Sequence, residues 1–92
     1  MRITVEYLAQ VKQTAGVSSE ILELPDAATL RDVLPRIAER HGDALRRILF
    51  DDAGNSRPSL LFFIGDRQVR GQQAVELRDG DRLTIMSPIA GG

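Results

Sequence analysis

One stretch fixes most of what this chain can become. Leu30, Val33, Leu34, Ile37, Ala38 and His41 recur at i, i+3, i+4, i+7, i+8 and i+11, the stripe of an amphipathic helix. It is the clearest helical pattern in the 92 residues, so the rest of the core must come from elements that pack against one principal helix. Thr29 is placed to cap the N-terminus, and Asp32 at the third helical position suits the positive end of the macrodipole. Gly42 supplies the stop. Pro35 is the flaw: without an N–H it costs one interior hydrogen bond, so the helix either kinks there or starts nearer Leu34. Asp43–Phe50, with Leu45, Ile48 and Leu49 inward, reads as a second short helix.

The remaining segments carry strand patterns. In Arg2–Leu8, Ile3, Val5 and Tyr7 point one way while Arg2, Thr4, Glu6 and Leu8 point the other, which is a half-buried strand. Ala9–Gly16 has no alternation and reads as a short turn of helix closed by Gly16. Ser18–Leu24 is a second strand, stopped by Pro25-Asp26. After the turn-rich loop Asp51–Pro58, the unbroken apolar run within Ser59–Ile64 suits a strand covered on both faces. Gly65-Asp66 fits a two-residue hairpin turn into Arg67–Arg70. A second tight turn, Asp79-Gly80-Asp81, precedes the last strand, Arg82–Ser87, with Leu83 and Ile85 on one face and Thr84 and Met86 on the other.

The order is therefore β-β-α-(α)-β-β-β, an α+β fold in which a mixed sheet of about five strands packs on one main helix. Only one sheet face receives that helix. Leu8 and Met86 point to the other, and Leu61 and Phe63 join them if Phe62 and Ile64 face the helix. An exposed apolar patch of this kind marks a partner site, and any homodimer of free chains is expected to use the same face.

Composition removes several classes of function. The length suits one domain, with 42 % hydrophobic and 27 % charged residues, as in an ordinary globular protein. Twelve basic against 13 acidic side chains leave a net charge of −1, which argues against nucleic-acid or anionic-membrane binding. No stretch approaches the roughly 20 apolar residues of a membrane span and the first residues lack a signal-peptide pattern, so a cytoplasmic protein is expected. There is no cysteine and a single histidine, which excludes thiolate chemistry, histidine metal clusters and a serine–histidine triad with a spare base. His41 reads as a helix-end residue favoured by the dipole. Asp51, Asp52 and Asn55 miss calcium-loop spacing, and Arg46-Arg47 reads as a solvated helix face. Eleven of the 12 basic residues are arginine, and Lys12 is the lone lysine.

The sharpest feature is the ending, Ser87-Pro88-Ile89-Ala90-Gly91-Gly92. With glycine at roughly 7 % of residues, a terminal pair arises by chance in about one chain in 200. Pro88 biases Ser87 to extended backbone, and beyond Ile89 the side chains shrink to nothing. Such a segment can thread a channel too narrow for any Cβ and deliver a carboxylate at Gly92. That carboxylate is unactivated. Neither a G-x-x-x-x-G-K-[ST] nor a G-x-G-x-x-G loop occurs, so nucleotide chemistry would fall to a partner.

Ala9-Gln10-Val11-Lys12 with Gly16 after the first strand, the Asp79-Gly80-Asp81 turn and the Gly91-Gly92 ending together resemble the ThiS/MoaD sulfur-carrier family over essentially the whole chain. Within it the molybdopterin-synthase branch is most similar, through the Ala-Gln-Val segment and Pro88-Ile89-Ala90-Gly91-Gly92. Ser87-Pro88 stands where that branch usually has Pro-Pro, Gly65-Asp66 replaces an Asn-based turn, and the 51–58 loop is long, as in carriers for cysteine synthesis. The resemblance implies a ubiquitin-like β-grasp domain over residues 1–92 with a protruding tail, 87–92. It implies a carrier that is not itself an enzyme and binds no cofactor. A ubiquitin-activating-type adenylyltransferase using ATP and a sulfur donor would convert Gly92 to a thiocarboxylate, with Gly91 as the slim residue behind it. That sulfur would be delivered inside the large subunit of a synthase such as molybdopterin synthase. Leu8, Leu61, Phe63, Met86, Pro88, Ile89 and Ala90 would meet the partners. Carriers for cysteine or thiamine synthesis, a ubiquitin-like modifier forming isopeptide bonds, and a plain β-grasp binding domain are the alternatives.

Overall fold

A computed structural model describes residues 1–71 and 73–87. Pro88, Ile89, Ala90, Gly91 and Gly92, and with them the protrusion expected of the tail, lie outside the described residues. Eight elements follow in chain order: β1 (Arg2–Leu8), α1 (Ala9–Ala15), β2 (Ser19–Glu23), α2 (Leu30–His41), α3 (Asp43–Leu49), β3 (Leu61–Ile64), β4 (Arg67–Val69) and β5 (Arg82–Ser87). The strands form one sheet in the order β2-β1-β5-β3-β4. β1 and β5 are parallel, and the other neighbours are antiparallel. The sheet is therefore mixed, as expected, and β5 is its central strand.

The two faces divide as the alternation requires. On one, Ile3, Val5 and Tyr7 of β1, Leu22 of β2, Phe62 of β3, Val69 of β4, and Leu83 and Ile85 of β5 are all buried. They pack against Leu30, Val33, Leu34, Ile37 and Ala38 of α2, Leu45 and Leu49 of α3, and Val11 of α1. Each of the large side chains contributes about 1.5–3 kcal/mol by leaving water. The strand expected to be covered on both faces is not. Only Leu61–Ile64 of that run is β3, and Leu60 and Phe62 are buried while Leu61 and Phe63 stay half-buried on the open face. An unbroken apolar run shows no period, so sequence alone does not tell a strand with one wet face from one with none.

Helix α2 settles the Pro35 question. It runs from Leu30 with Pro35 inside it, and the helix does not start near Leu34. A capping box holds that start: the Thr29 N–H donates to Asp32 Oδ2 at 2.9 Å, and the Thr29 hydroxyl donates to the same oxygen at 3.2 Å. These bonds hold the Asp32 carboxyl below its usual range. The proline ring is on the exposed side of α2, so the carbonyl deprived of its partner can meet water. In the β3–β4 hairpin, Gly65 at φ +59 occupies the first central position of the turn, where a type II′ turn needs a left-handed residue.

Candidate functional site

The strand that leads to the Gly-Gly ending is gripped from both sides. β5 pairs along β1 from Thr4↔Arg82 to Leu8↔Met86, and along β3 from Ile64↔Leu83 to Leu61↔Met86. Its last residue, Ser87, is buried and forms one further parallel bridge, to Ala9. The Ser87 hydroxyl also meets Gln10 Oε1 at 3.2 Å. Ala9 itself stands at φ +57, in left-handed space that a residue with a Cβ adopts only at a cost of order 1–3 kcal/mol. This conformation lets the chain turn from β1 into α1 while still pairing with the end of β5.

The same registers bring the expected patch together. Leu8, Met86 and Leu61 form a single row across β1, β5 and β3 on the open face, at the end of the sheet where β5 stops. Leu8 is 44 % exposed, and Met86 and Leu61 are half-buried. Phe63 lies one row further down, opposite Thr84, which in turn is opposite Glu6. From there the face becomes polar: Glu6 accepts from Arg82 Nη1 at 3.0 Å and from the Thr84 hydroxyl at 3.4 Å. The row thus lies beside Ser87 with a charged belt on its border, and Ile21, 57 % exposed and opposite Thr4, is a separate apolar side chain on the same face. Leu8, Leu61 and Met86 belong to one surface, with Phe63 at its margin. The other expected site residues, Pro88, Ile89, Ala90, Gly91 and Gly92, are outside the described residues.

His41 does more than end a helix. Its Nε2 and the Tyr7 hydroxyl both meet Glu20 Oε2, and Arg40 Nε meets Glu20 Oε1 at 3.0 Å. The Tyr7 and His41 rings pack edge to face with centroids 5.7 Å apart. Burial is the largest influence on Glu20 and would raise its carboxyl pKa. The hydrogen bonds from Tyr7 and His41, with the charges of His41 and Arg40, outweigh it and hold the carboxyl below the usual range. Burial first, then the bond to Glu20, raises the Tyr7 phenol. This group ties the C-terminal end of α2 to β1 and β2 on the helix face, away from the apolar row. Among the described residues no set of three or more His, Cys, Asp or Glu side chains could hold a metal ion. No helix among them is long and apolar enough to cross a membrane.

The described residues place a half-exposed apolar row of Leu8, Met86 and Leu61 beside the end of β5. The ThiS family model matches residues 5–92. The chain belongs to the ThiS family. This ThiS-family chain is 33 % identical over 92 residues to a molybdopterin synthase sulfur carrier subunit of Chlamydomonas reinhardtii, covering all of both chains. It is 31 % identical over 94 residues to small archaeal modifier protein 3 of Haloferax volcanii, again covering all of both. Its fold superposes on the crystal structure of SAMP1 from Haloferax volcanii with a TM-score of 0.89 at 21 % identity, covering all of both chains. The fold is accordingly a ubiquitin-like β-grasp, in a family of sulfur carriers and protein modifiers. Two features escape the sequence reading: the left-handed Ala9 beside Ser87, which carries no signal, and, on the other face, the clasp of Glu20 by Tyr7, Arg40 and His41, whose one signal is a charge alternating with Leu22 and Leu24.

Proposed function

We propose that this chain is a sulfur carrier, not an enzyme in its own right, and that it serves as the small subunit in molybdopterin synthesis. One observation carries the reading: the full-length match at 33 % identity to a molybdopterin synthase sulfur carrier subunit. In this reading a ubiquitin-activating-type adenylyltransferase binds ATP, and a Gly92 carboxylate oxygen attacks the α-phosphorus and expels pyrophosphate. Sulfide delivered by a donor then attacks the acyl carbon and expels AMP, leaving a thiocarboxylate. The carrier supplies no cofactor of its own. Its tasks are to dock and to present the carboxyl.

Each task has its residues. Leu8, Leu61 and Met86, with Phe63 at the edge, meet the activating enzyme and then the large subunit of the synthase. Pro88, Ile89 and Ala90 lead the chain into the partner, and Gly91 keeps the approach to Gly92 slim. A modifier reading, in which Gly92 forms an amide with a target lysine, draws on the 31 % identity to small archaeal modifier protein 3. Both begin with the same acyl-adenylate.

The test is the intact mass after incubation with a ubiquitin-activating-type enzyme, ATP and a sulfur donor. The expected result is the gain of one sulfur for one oxygen, localised to Gly92, and no gain in a chain lacking Gly92. Activation of that truncated chain, or lysine-linked adducts in place of the sulfur gain, would overturn the carrier reading.

A further inference from the structure

The long loop at 51–58 has no task in the carrier reading, yet it is folded tightly back on α3. The Phe50 N–H donates to the Arg46 carbonyl at 2.8 Å, the Arg57 N–H donates to the Leu49 carbonyl at 2.9 Å, and Phe50 bridges to Ser56. Asp51 Oδ1 accepts from the N–H groups of Ala53 at 2.9 Å and Asn55 at 3.0 Å, so this carboxylate shapes the loop from within. Between the loop, the end of α3 and Pro35 of α2 lies a cleft of about 410 Å³, within the size range of ligand sites. Pro35 and Phe50 give it an apolar floor, and Phe50 is half-buried against the core.

Arg46, Arg47 and Arg57 rim this cleft. Elsewhere arginines hold carboxylates: Arg2 meets Glu23, Arg40 meets Glu20 and Arg82 meets Glu6. Among the described residues the three at the cleft have no such partner. Arg46 and Arg47 are exposed in the last turn of α3 and suit the negative end of that helix, which accounts for their sign. It does not account for Arg57. That side chain is half-buried, and its Nε donates to the Arg47 carbonyl at 2.6 Å. One of the five guanidinium donors is thereby engaged, and those on Nη1 and Nη2 meet no acceptor among the described residues. The fork is already oriented, so the entropy of ordering a long side chain is not lost again on binding.

We propose that this cleft is a docking site for an acidic segment of a partner protein, with a carboxylate on the Arg57 fork and one apolar side chain seated on Phe50 and Pro35. Charge complementarity selects the occupant. Against three arginines stand Asp51, already engaged within the loop, and the exposed Asp52, so the rim attracts anions on a chain whose net charge is −1. Asp52 also selects among anions, because its carboxylate repels a doubly charged phosphate more than a singly charged carboxylate. The apolar floor between the charges suits a peptide, which carries both kinds of side chain on one strand. The cleft belongs to the helix layer, whereas the row of Leu8, Met86 and Leu61 is on the open face of the sheet. The two surfaces are separate, and binding at the cleft needs no sulfur chemistry.

The experiment titrates the full, isotope-labelled chain with an end-capped peptide, one leucine flanked by two glutamates on each side, and follows the backbone amides by NMR. The expected shifts centre on Arg46, Arg47, Phe50 and Arg57 and leave Leu8, Leu61 and Met86 in place. The pair Arg46→Glu and Arg47→Glu changes exposed positions, so the circular-dichroism spectrum should stay that of the parent while affinity falls roughly tenfold or more. Arg57→Lys keeps the charge but loses the fork, and should also weaken binding. Asp52→Asn removes the opposing carboxylate and should strengthen it. No shifts at millimolar peptide, shifts confined to another surface, affinity unchanged by the Arg46 and Arg47 reversals, or equal binding of the peptide with lysines in place of glutamates would each overturn the proposal. So would tighter binding of inorganic phosphate or of a short oligouridylate.

Discussion

Replacing Glu20 by glutamine tests whether the clasp at the end of α2 holds the fold together. The carboxylate takes three donors: the Tyr7 hydroxyl and His41 Nε2 on one oxygen, and Arg40 Nε on the other. An amide has a single acceptor oxygen. Tyr7 is fully buried, and the His41 side chain is 14 % exposed, so these two donors keep that oxygen. Arg40, 55 % exposed, is left facing an NH2 group and turns to water. Two charge-assisted bonds become neutral ones, at roughly 1 kcal/mol each, so the variant should be about 2 kcal/mol less stable. With a urea m-value near 1 kcal/mol/M for a small domain, the midpoint should fall by about 2 M.

The pH dependence gives the sign. The folded Glu20 carboxyl lies below its ordinary value of 4.5, so below that pH the unfolded chain binds the proton more readily than the folded one. The stabilisation is present above the ordinary glutamate range and is lost as pH falls towards the folded pKa. The substituted amide does not titrate, so the gap between parent and variant should shrink in acid. Urea unfolding followed by circular dichroism, from neutral pH downward, measures both quantities. A midpoint within about 0.3 M of the parent at neutral pH, or a gap that widens in acid, would refute the reasoning.

Three further outcomes follow from single contacts. A Cβ added at Gly71 would fall 2.5 Å from Ser56 Oγ and 2.7 Å from Phe62 Cε2. Because Phe62 is locked in the core, Gly71→Ala should cost about 1–3 kcal/mol by overpacking, read as a lower urea midpoint. Pro35→Ala restores the missing bond to the Arg31 carbonyl within α2, and should raise stability by about 1–3 kcal/mol in the same assay. The pair Leu61→Asp and Met86→Asp changes half-buried positions of the open face, so the circular-dichroism spectrum should stay that of the parent. Affinity for the synthase large subunit should drop at least a hundredfold by calorimetry, and unchanged affinity would remove the docking row from the proposal.

Much of this arrangement is legible in the sequence because it rests on period. The α2 stripe, the alternation in β1 and β5 and the turn pairs at Gly65-Asp66 and Gly80 give the element order and the faces. Leu8, Met86 and Leu61 follow from the same alternation once the strands are aligned. What escapes is whatever depends on distant partners. Glu20 alternates with Leu22 and Leu24 onto the helix face, where a charge looks misplaced. Its justification lies in Tyr7, 13 positions earlier, and in His41, 21 later. Ala9 gives no sign of its left-handed backbone, since alanine favours an ordinary helix and its bridge partner, Ser87, is far along the chain. The apolar run at β3 misled for the opposite reason: both of its faces look alike in sequence, yet Leu61 and Phe63 stay half-buried on the open one.

The place of β5 in the sheet suits the proposed function. A partner that drew the chain end into its active site would pull on the last strand, and an edge strand held by one ladder could peel away. β5 is held by β1 and β3 together, with Leu83 and Ile85 fully buried behind it. Detaching it would mean breaking two ladders and the core at once. The parallel neighbour matters as well. Because β1 runs alongside β5 in the same direction, Leu8 arrives beside Met86 and the chain then turns into α1 next to Ser87. An antiparallel partner there would place the start of β1 at this end, and Leu8 at the far one. The parallel pair is what puts an apolar anchor and a rigid helix at the point where the tail leaves. In the proposed function, docking through the row and delivery through Gly92 would use separate residues. Loss of the row should then weaken binding, while loss of Gly92 should stop transfer in a complex that still forms.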